Sequence, residues 1–552
     1  MKRILTAASL AFLFLLPCRA QQTDHSYAVA KAMETFNYIF RDLELYYVDT
    51  LDAEQAVTVA IDAMLATLDP YTEYYSEEDM GDLKLMTTGK YGGIGSIIRM
   101  RKDSTVIISE PYEGMPAAQV GLQVGDVLLF IDDTDLKGKS VSEVSDMLRG
   151  EPGTTFTLRV QRPGEKKERT FEITRKSVKV PAIPYYGLCA PTVGYIYLSQ
   201  FTENCSAEFR KAFIALREQG AESIVIDLRD NGGGLLSEAV DIVNLFVPKG
   251  LTIVETRGKV KAANSVYTTQ DDPIDTEIPL AVLVSGNTAS AAEIVSGALQ
   301  DLDRAVILGT RTYGKGLVQS PRDLPFNASL KLTTSKYYIP SGRCIQAIDY
   351  AAWRKGGKGT RADSLAALFH TAAGREVREG SGILPDIVLT PDTLPDIAYY
   401  LEMDDILLDW GTEYMQHHAT LPPVSALEIT DEDVAYLLQR AKDQDFKYDR
   451  VSAKNLETLK KTMQREGFYE EAEAELAALE AKLERNLDRD FARYDKEIRH
   501  VMGAEIVRRY AFQAGTVEYS LRGDIEAEEA VSLLSDPDRY NALLAPQAAE
   551  TE

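Results

Sequence analysis

Two continuous apolar runs on either side of one helical repeat, between Leu280 and Leu308, restrict this chain more than any other stretch of it. Leu280 to Val284 has the length and β-branched content of a buried strand. After the turn Ser285-Gly286-Asn287 the apolar residues fall at helical spacing, with Ile294, Ala298 and Leu302 on one face and Val295 and Leu299 beside it. Ala305 to Leu308 then leads into a glycine-punctuated loop, Gly309 to Gly316, that holds Lys315. Ser290 is thereby placed at a helix N-terminus. Ser290 to Glu293 fits a capping box, which would give the hydroxyl a structural task only. Gly309 to Lys315 approaches a phosphate-binding loop, but Gly316 stands where a magnesium-binding Ser or Thr belongs, and Pro321 would end the helix that must follow.

A serine hydroxyl needs a base to become a nucleophile, and histidine is the usual one. The chain has five histidines, His25, His370, His417, His418 and His500, and none adjoins a glycine-framed strand end. Lysine serves instead where burial lowers its pKa, and Ser-Lys pairs are a known variant of the triad. With Asn287 to Ile294 as one block and Gly314 to Gln319 as another, the chain resembles the C-terminal processing proteases, PDZ-containing Ser-Lys peptidases of bacterial envelopes and chloroplasts. The resemblance spans about Tyr38 to Leu389 and implies Ser290 as nucleophile, Lys315 as general base and Gln319 as the residue orienting the lysine amine. It also implies an oxyanion hole. Asp227 to Gly234 is similar to the family's glycine block, so the donors would be Gly233 or Gly234 together with Ala291, although Gly232 replaces the usual proline.

At 552 residues with 45% apolar content, the chain is long enough for several domains with buried cores. A formal charge of −25 argues against nucleic acid as a partner. Lys2 and Arg3, the apolar stretch Ile4 to Leu16 and the end Cys18-Arg19-Ala20 read as an export signal over residues 1–20. Pro17 before Cys18 disfavours lipid attachment, which stays the minor alternative. Cys189, Cys205 and Cys344 then remain, an odd number, with no spacing suited to a metal.

The expected architecture is a multidomain α+β and α/β chain. Residues 21–88 form an N-terminal helical segment, in which Val29, Met33, Phe36 and Phe40 share a helix face. It ends at Leu68 to Tyr74, where Tyr71 stands in the family's usual histidine position; no catalytic task is attached to it. Residues 89–179 form a PDZ domain, marked by Ala117 to Leu128 and by a helix from Ser140 to Gly150 with a capping start. Such domains add a peptide as a strand and hold its C-terminal carboxylate, for which Gly93, Ile94, Gly95 and Ser96 supply the loop, and Ile94, Val144 and Leu148 the apolar pocket. Residues 180–395 form the Ser-Lys protease core, with Lys331 to Ile339 and Gly382 to Ile387 as later strands. Residues 396–552 are helix-rich and charged, and read equally as a cap, a dimer arm, an adaptor dock or an appendix packed on the core.

The expected function is a periplasmic serine endopeptidase, needing no cofactor, that binds the free C-terminal tails of protein substrates and cleaves them. An adaptor or a second copy would dock through the C-terminal helices. The alternatives are a catalytically silent tail-binding scaffold, which would not need the serine, the lysine and the glycine loop together, and a hydratase-like acyl enzyme, which would need neither export nor a PDZ domain.

Overall fold

The computed structural model describes residues 17–546 except 357–358, 360–365, 391–392 and 419. The export signal expected over residues 1–20 lies outside the described residues as far as residue 16. No helix of the described residues is long and apolar enough to cross a membrane.

The apolar runs become strands of a six-stranded sheet, in the order Tyr185–Ala190, Val193–Tyr197, Ser223–Asp227, Leu280–Val284, Val306–Gly309 and Ile387–Val388. The first pair is antiparallel and the rest are parallel. Parallel strands are buried on both faces, which explains why they read as unbroken apolar runs. Alternate side chains divide between two cores. Leu280, Val282 and Val284 face the helices Cys205–Glu218, Leu236–Asn244 and Ala291–Asp301, whereas Ala281 and Leu283 face Ala527, Ala530, Leu533 and Tyr540.

The second face of the sheet is therefore covered by helices Ile525–Leu534 and Pro537–Leu544, more than two hundred residues downstream of strand Leu280–Val284. Tyr540 seals the contact, its hydroxyl accepting from Leu280 N–H at 3.0 Å and donating to Leu280 C=O at 3.2 Å. The helices of residues 396–552 thus include the layer that closes the sheet of residues 180–395. Helices of residues 396–448 and 487–519 share a core of their own around Trp410, Leu437, Met502 and Ile506, and the hairpin Val451–Glu466 with Glu473–Leu483 lies outside it, burying Leu456 and Leu476.

The PDZ domain forms the expected sheet, Ser96–Met100, Val106–Pro111, Val127–Ile131, Thr155–Gln161 and Arg169–Thr174, with helix Val141–Leu148 capped by Ser140 and Glu143. It is held to the C-terminal helices by ion pairs, Arg99 to Asp405 (2.7 Å) and Arg101 to Asp409 (2.9 Å). The N-terminal helix Pro17–Tyr46 forms, but Val29, Met33 and Phe36 on its apolar face are exposed.

A second sheet, Glu73–Tyr75, Ser329–Tyr338, Thr252–Gly258 and Ser265–Thr268, with Leu317–Asp323 paired to Ser329–Tyr338, carries the lysine loop. It brings the Asp69–Tyr75 segment beside that loop.

Candidate active site

Ser290 sits where the buried strand Leu280–Val284 turns into the wholly buried helix Ala291–Asp301. Its backbone has φ +57° and ψ −115°, a region that costs a non-glycine residue about 1–3 kcal/mol and survives only when the surroundings dictate it. They do so here. Thr288 Oγ1 donates to Leu228 C=O (2.7 Å), Ala289 N–H to Asn231 C=O (2.9 Å), and Tyr337 OH to Ser290 C=O (3.1 Å). The helix N-terminus beneath the serine also favours negative charge developing there.

Glu293 proves to be more than half of a capping box. Fully buried, its carboxylate accepts from Ser290 N–H (2.9 Å), Thr312 Oγ1 (2.6 Å), Gly314 N–H (2.7 Å) and Lys315 N–H (2.8 Å). Burial pushes its pKa up, against the pull of these four donors. One side chain thus joins the serine turn to the lysine loop. The S-x-x-E pattern showed the first of these bonds only; the other three depend on the fold.

Lys315 reaches a cleft of about 560 Å³ also lined by Ser290, Ala291, Gln319, Gly232, Gly233 and Gly234. Burial lowers its pKa, as does the neighbouring Lys331 ammonium, while Glu73, Glu293 and Asp69 oppose the shift. Its Nζ lies 4.3 Å from the centroid of the Tyr71 ring. The position to which the sequence lent no task is therefore in contact with the proposed base. Tyr71 is itself held by Tyr313 and Tyr350, hydroxyl to hydroxyl at 3.3 and 3.4 Å. Among the described residues no hydrogen bond joins Lys315 Nζ to Ser290 or to Gln319.

Gln319 donates its Nε2 to Thr333 Oγ1 (3.1 Å), which donates to Asp69 Oδ1 (3.2 Å). That fixes the amide and leaves its Oε1 as an acceptor. Lys331, the other lysine on the cleft, is engaged by Glu73. No histidine lines the cleft, and Cys189, Cys205 and Cys344 are all free thiols.

The glycine loop lies against the serine. A Cβ on Gly233 would meet Ser290 Cβ at 2.8 Å and Ala291 N at 2.9 Å, so only glycine fits. Gly233 N–H, however, is donated to Asn231 Oδ1 at 2.8 Å. Gly233, one of the two glycines expected to face an oxyanion, thus has its N–H engaged within the loop itself.

In the PDZ domain, Ile94, Ser96 and Leu148 line a cavity of about 150 Å³ with Leu85, Tyr91, Ser145 and Arg149. The Ser96 hydroxyl is buried there without a partner among the described residues. Val144 does not line it. That side chain is fully buried against the domain's own sheet, and the next residue, Ser145, takes its place at the cavity. Gly93 pairs with Lys176 as the end of a short strand, and Gly95 turns the chain with φ +71°. Strand Ser96–Met100 is paired on one side only, with Val106–Pro111, and so presents a free edge. The helix Met80–Thr88 walls both places, offering Leu85 to this cavity and Leu83 and Met86 to the cleft at Ser290 and Lys315.

Residues 192–351 match the model of Peptidase family S41, residues 107–162 that of a PDZ domain, and residues 397–534 one described as "Probable PDZ-protease, C-terminal helical domain". A carboxy-terminal-processing protease of Bartonella bacilliformis is 36% identical over 330 residues, which is 59% of this chain and 75% of the relative. A carboxyl-terminal-processing protease of Synechocystis is 38% identical over 324 residues, covering 57% and 75%. A solved structure of a photosystem II D1 C-terminal processing protease aligns at 29% identity over 67% of this chain and 90% of that one, with a TM-score of 0.37.

Proposed function

This chain belongs to the carboxy-terminal-processing protease family, and we propose that it is an exported serine endopeptidase that holds the C-terminal tails of protein substrates in its PDZ domain and cleaves them with Ser290 and Lys315. One observation carries the reading: a serine held in a strained turn and a half-buried lysine share a single cleft that no histidine lines.

In the proposed reaction neutral Lys315 takes the proton from Ser290 Oγ as the serine attacks the scissile carbonyl. The developing oxyanion accepts from the N–H groups of Ala291 and Gly234. Lys315 then returns the proton to the leaving amine, and water repeats the sequence on the acyl-enzyme. To act, the amine leaves the Tyr71 ring and turns toward Ser290, with Gln319 Oε1 accepting one of its protons. Leu236, Ile294, Leu317, Val318 and Tyr337 line the same cleft and suit an apolar substrate side chain beside the cut.

The tail adds to the free edge of Ser96–Met100, its carboxylate at the Gly95 and Ser96 N–H groups and its last side chain in the cavity of Ile94 and Leu148. The compartment is the periplasm, reached through residues 1–20. The helical hairpin Val451–Glu466 and Glu473–Leu483, whose buried residues are Leu456 and Leu476, is the part of the C-terminal region left to receive an adaptor or a second copy.

Ser290→Ala, Lys315→Ala and Lys315→Arg should each abolish cleavage of an unfolded protein while the chain stays folded, since a guanidinium cannot serve as base. Full turnover in either lysine variant would defeat the assignment. In the Ser290→Ala background, a peptide with a free C-terminus should bind more tightly than its amide by calorimetry; equal affinities would place tail recognition elsewhere.

A further inference from the structure

We infer that Asp524 and Glu526 of the C-terminal region are positioning residues for the oxyanion loop and act on it through Arg229; this rests on the reading of that loop given above. The loop departs from ordinary backbone, with φ +59° at Asp230, +99° at Gly233 and +141° at Gly234. Such a conformation persists only where neighbours impose it. Inside the core Asn231 does so, donating to Leu198 C=O at 2.7 Å. At the start of the loop the task falls to Arg229, two residues before Asn231.

The Arg229 guanidinium meets three carboxylates. Nε and Nη2 donate to Asp227 Oδ2 (3.0 and 2.7 Å), Nη2 and Nη1 to Asp524 (2.6 and 3.1 Å), and Nη1 to Glu526 (2.8 Å). A planar fork held on several sides is fixed in direction as well as position. The outer carboxylates arrive on a rigid element. Asp524 caps the helix Ile525–Leu534, accepting from Glu526 N–H (3.0 Å) and Ala527 N–H (3.1 Å), and that helix is seated on the sheet through Ala527, Ala530 and Leu533.

Stability alone does not call for this cluster. Asp227, which also accepts from Tyr195 OH at 2.5 Å, already neutralises the guanidinium. Two further carboxylates, both mostly buried, add desolvation cost, and although Lys496, Arg499 and Arg522 line the same cavity, Arg229 is the cation with which they form ion pairs among the described residues. What they add is geometry, by locking the loop against the layer that closes the sheet.

The test is the double variant Asp524→Asn/Glu526→Gln, which keeps side-chain volume and the helix cap, since Asn caps as well as Asp. In the otherwise native full chain, kcat should fall about ten- to hundredfold, as for a catalytic group displaced by a fraction of an ångström to an ångström, with KM within about twofold. Affinity for a peptide boronate, whose tetrahedral oxygen occupies the oxyanion donors, should fall by the same factor. Binding of an uncleaved peptide in the Ser290→Ala background should not change. If the double variant fails to fold, Glu526→Gln alone should show a smaller loss of the same kind. A folded variant with kcat and boronate affinity within about twofold of the native protein overturns the inference, as does a loss of kcat with boronate affinity unchanged. Cleavage surviving in Ser290→Ala would instead condemn the underlying reading of the site.

Discussion

The serine side and the lysine side of the cleft are built in opposite ways. Ser290 is over-determined: its backbone is strained, the Glu293 carboxylate holds its N–H, Tyr337 holds its C=O, and Gly233 abuts its Cβ. Lys315 is fixed at its backbone by the same Glu293, but its amine rests on the face of Tyr71. On the proposed mechanism, preorganisation is thus concentrated on the groups that would meet the developing charge, where reorganisation during the reaction would be most costly. The amine of Lys315 keeps its freedom, which suits the proposed task of carrying a proton from one partner to another.

The largest expected effect tests whether Glu293 serves both sides at once. Glu293→Ala leaves four donors without their acceptor, and should lower kcat/KM by roughly 10²-fold or more and stability by about 3 kcal/mol or more, read by turnover and by denaturant unfolding. Activity near the native level would show that the serine turn stands without its bracket. On the lysine side, Thr333→Val removes the link between Asp69 and Gln319, and kcat should fall about tenfold, the worth of one hydrogen bond, with little change in unfolding. An equally large loss of stability there would make the lysine side as rigid as the serine side and dissolve the contrast. Tyr71→Phe should be the mildest, with kcat/KM within about twofold, because the ring that meets Lys315 is retained. A tenfold loss would show that the hydroxyl contacts to Tyr313 and Tyr350 matter to turnover.

Much of this was legible in the sequence because it is local. The strand, turn and helix around Ser290, the PDZ signature and the cap at Ser140 are encoded by neighbouring residues, and each forms as its pattern requires. Contacts across the chain were not. Unbroken apolar runs announced strands buried on both faces, but nothing in them named Tyr540 and Leu533 as the cover. Glu293 carried a local signal that accounted for one of its four bonds. Tyr71 carried none for its contact with Lys315, since the two meet only when Glu73–Tyr75 pairs with Ser329–Tyr338 and so brings the preceding turn beside the lysine loop. Val144 lies on the helix expected to wall a peptide pocket, yet helix periodicity alone does not tell the face that meets the sheet, where Val144 is buried, from the edge that meets the cavity, where Ser145 stands.

The central claim is that a lysine is the base, and the pH dependence of kcat/KM on an unstructured substrate tests it most directly. Lys315 works only when neutral. Burial and Lys331 lower its pKa, so activity should rise with pH along one ascending limb whose midpoint lies below the ~10.4 of a free lysine. Lys331→Gln removes a charge that disfavours the Lys315 ammonium, and should move that limb toward alkaline pH. His370→Ala should leave it in place. An ascending limb near pH ~6.5 that disappears when a histidine is replaced would contradict the account, because it would assign the proton transfer to an imidazole.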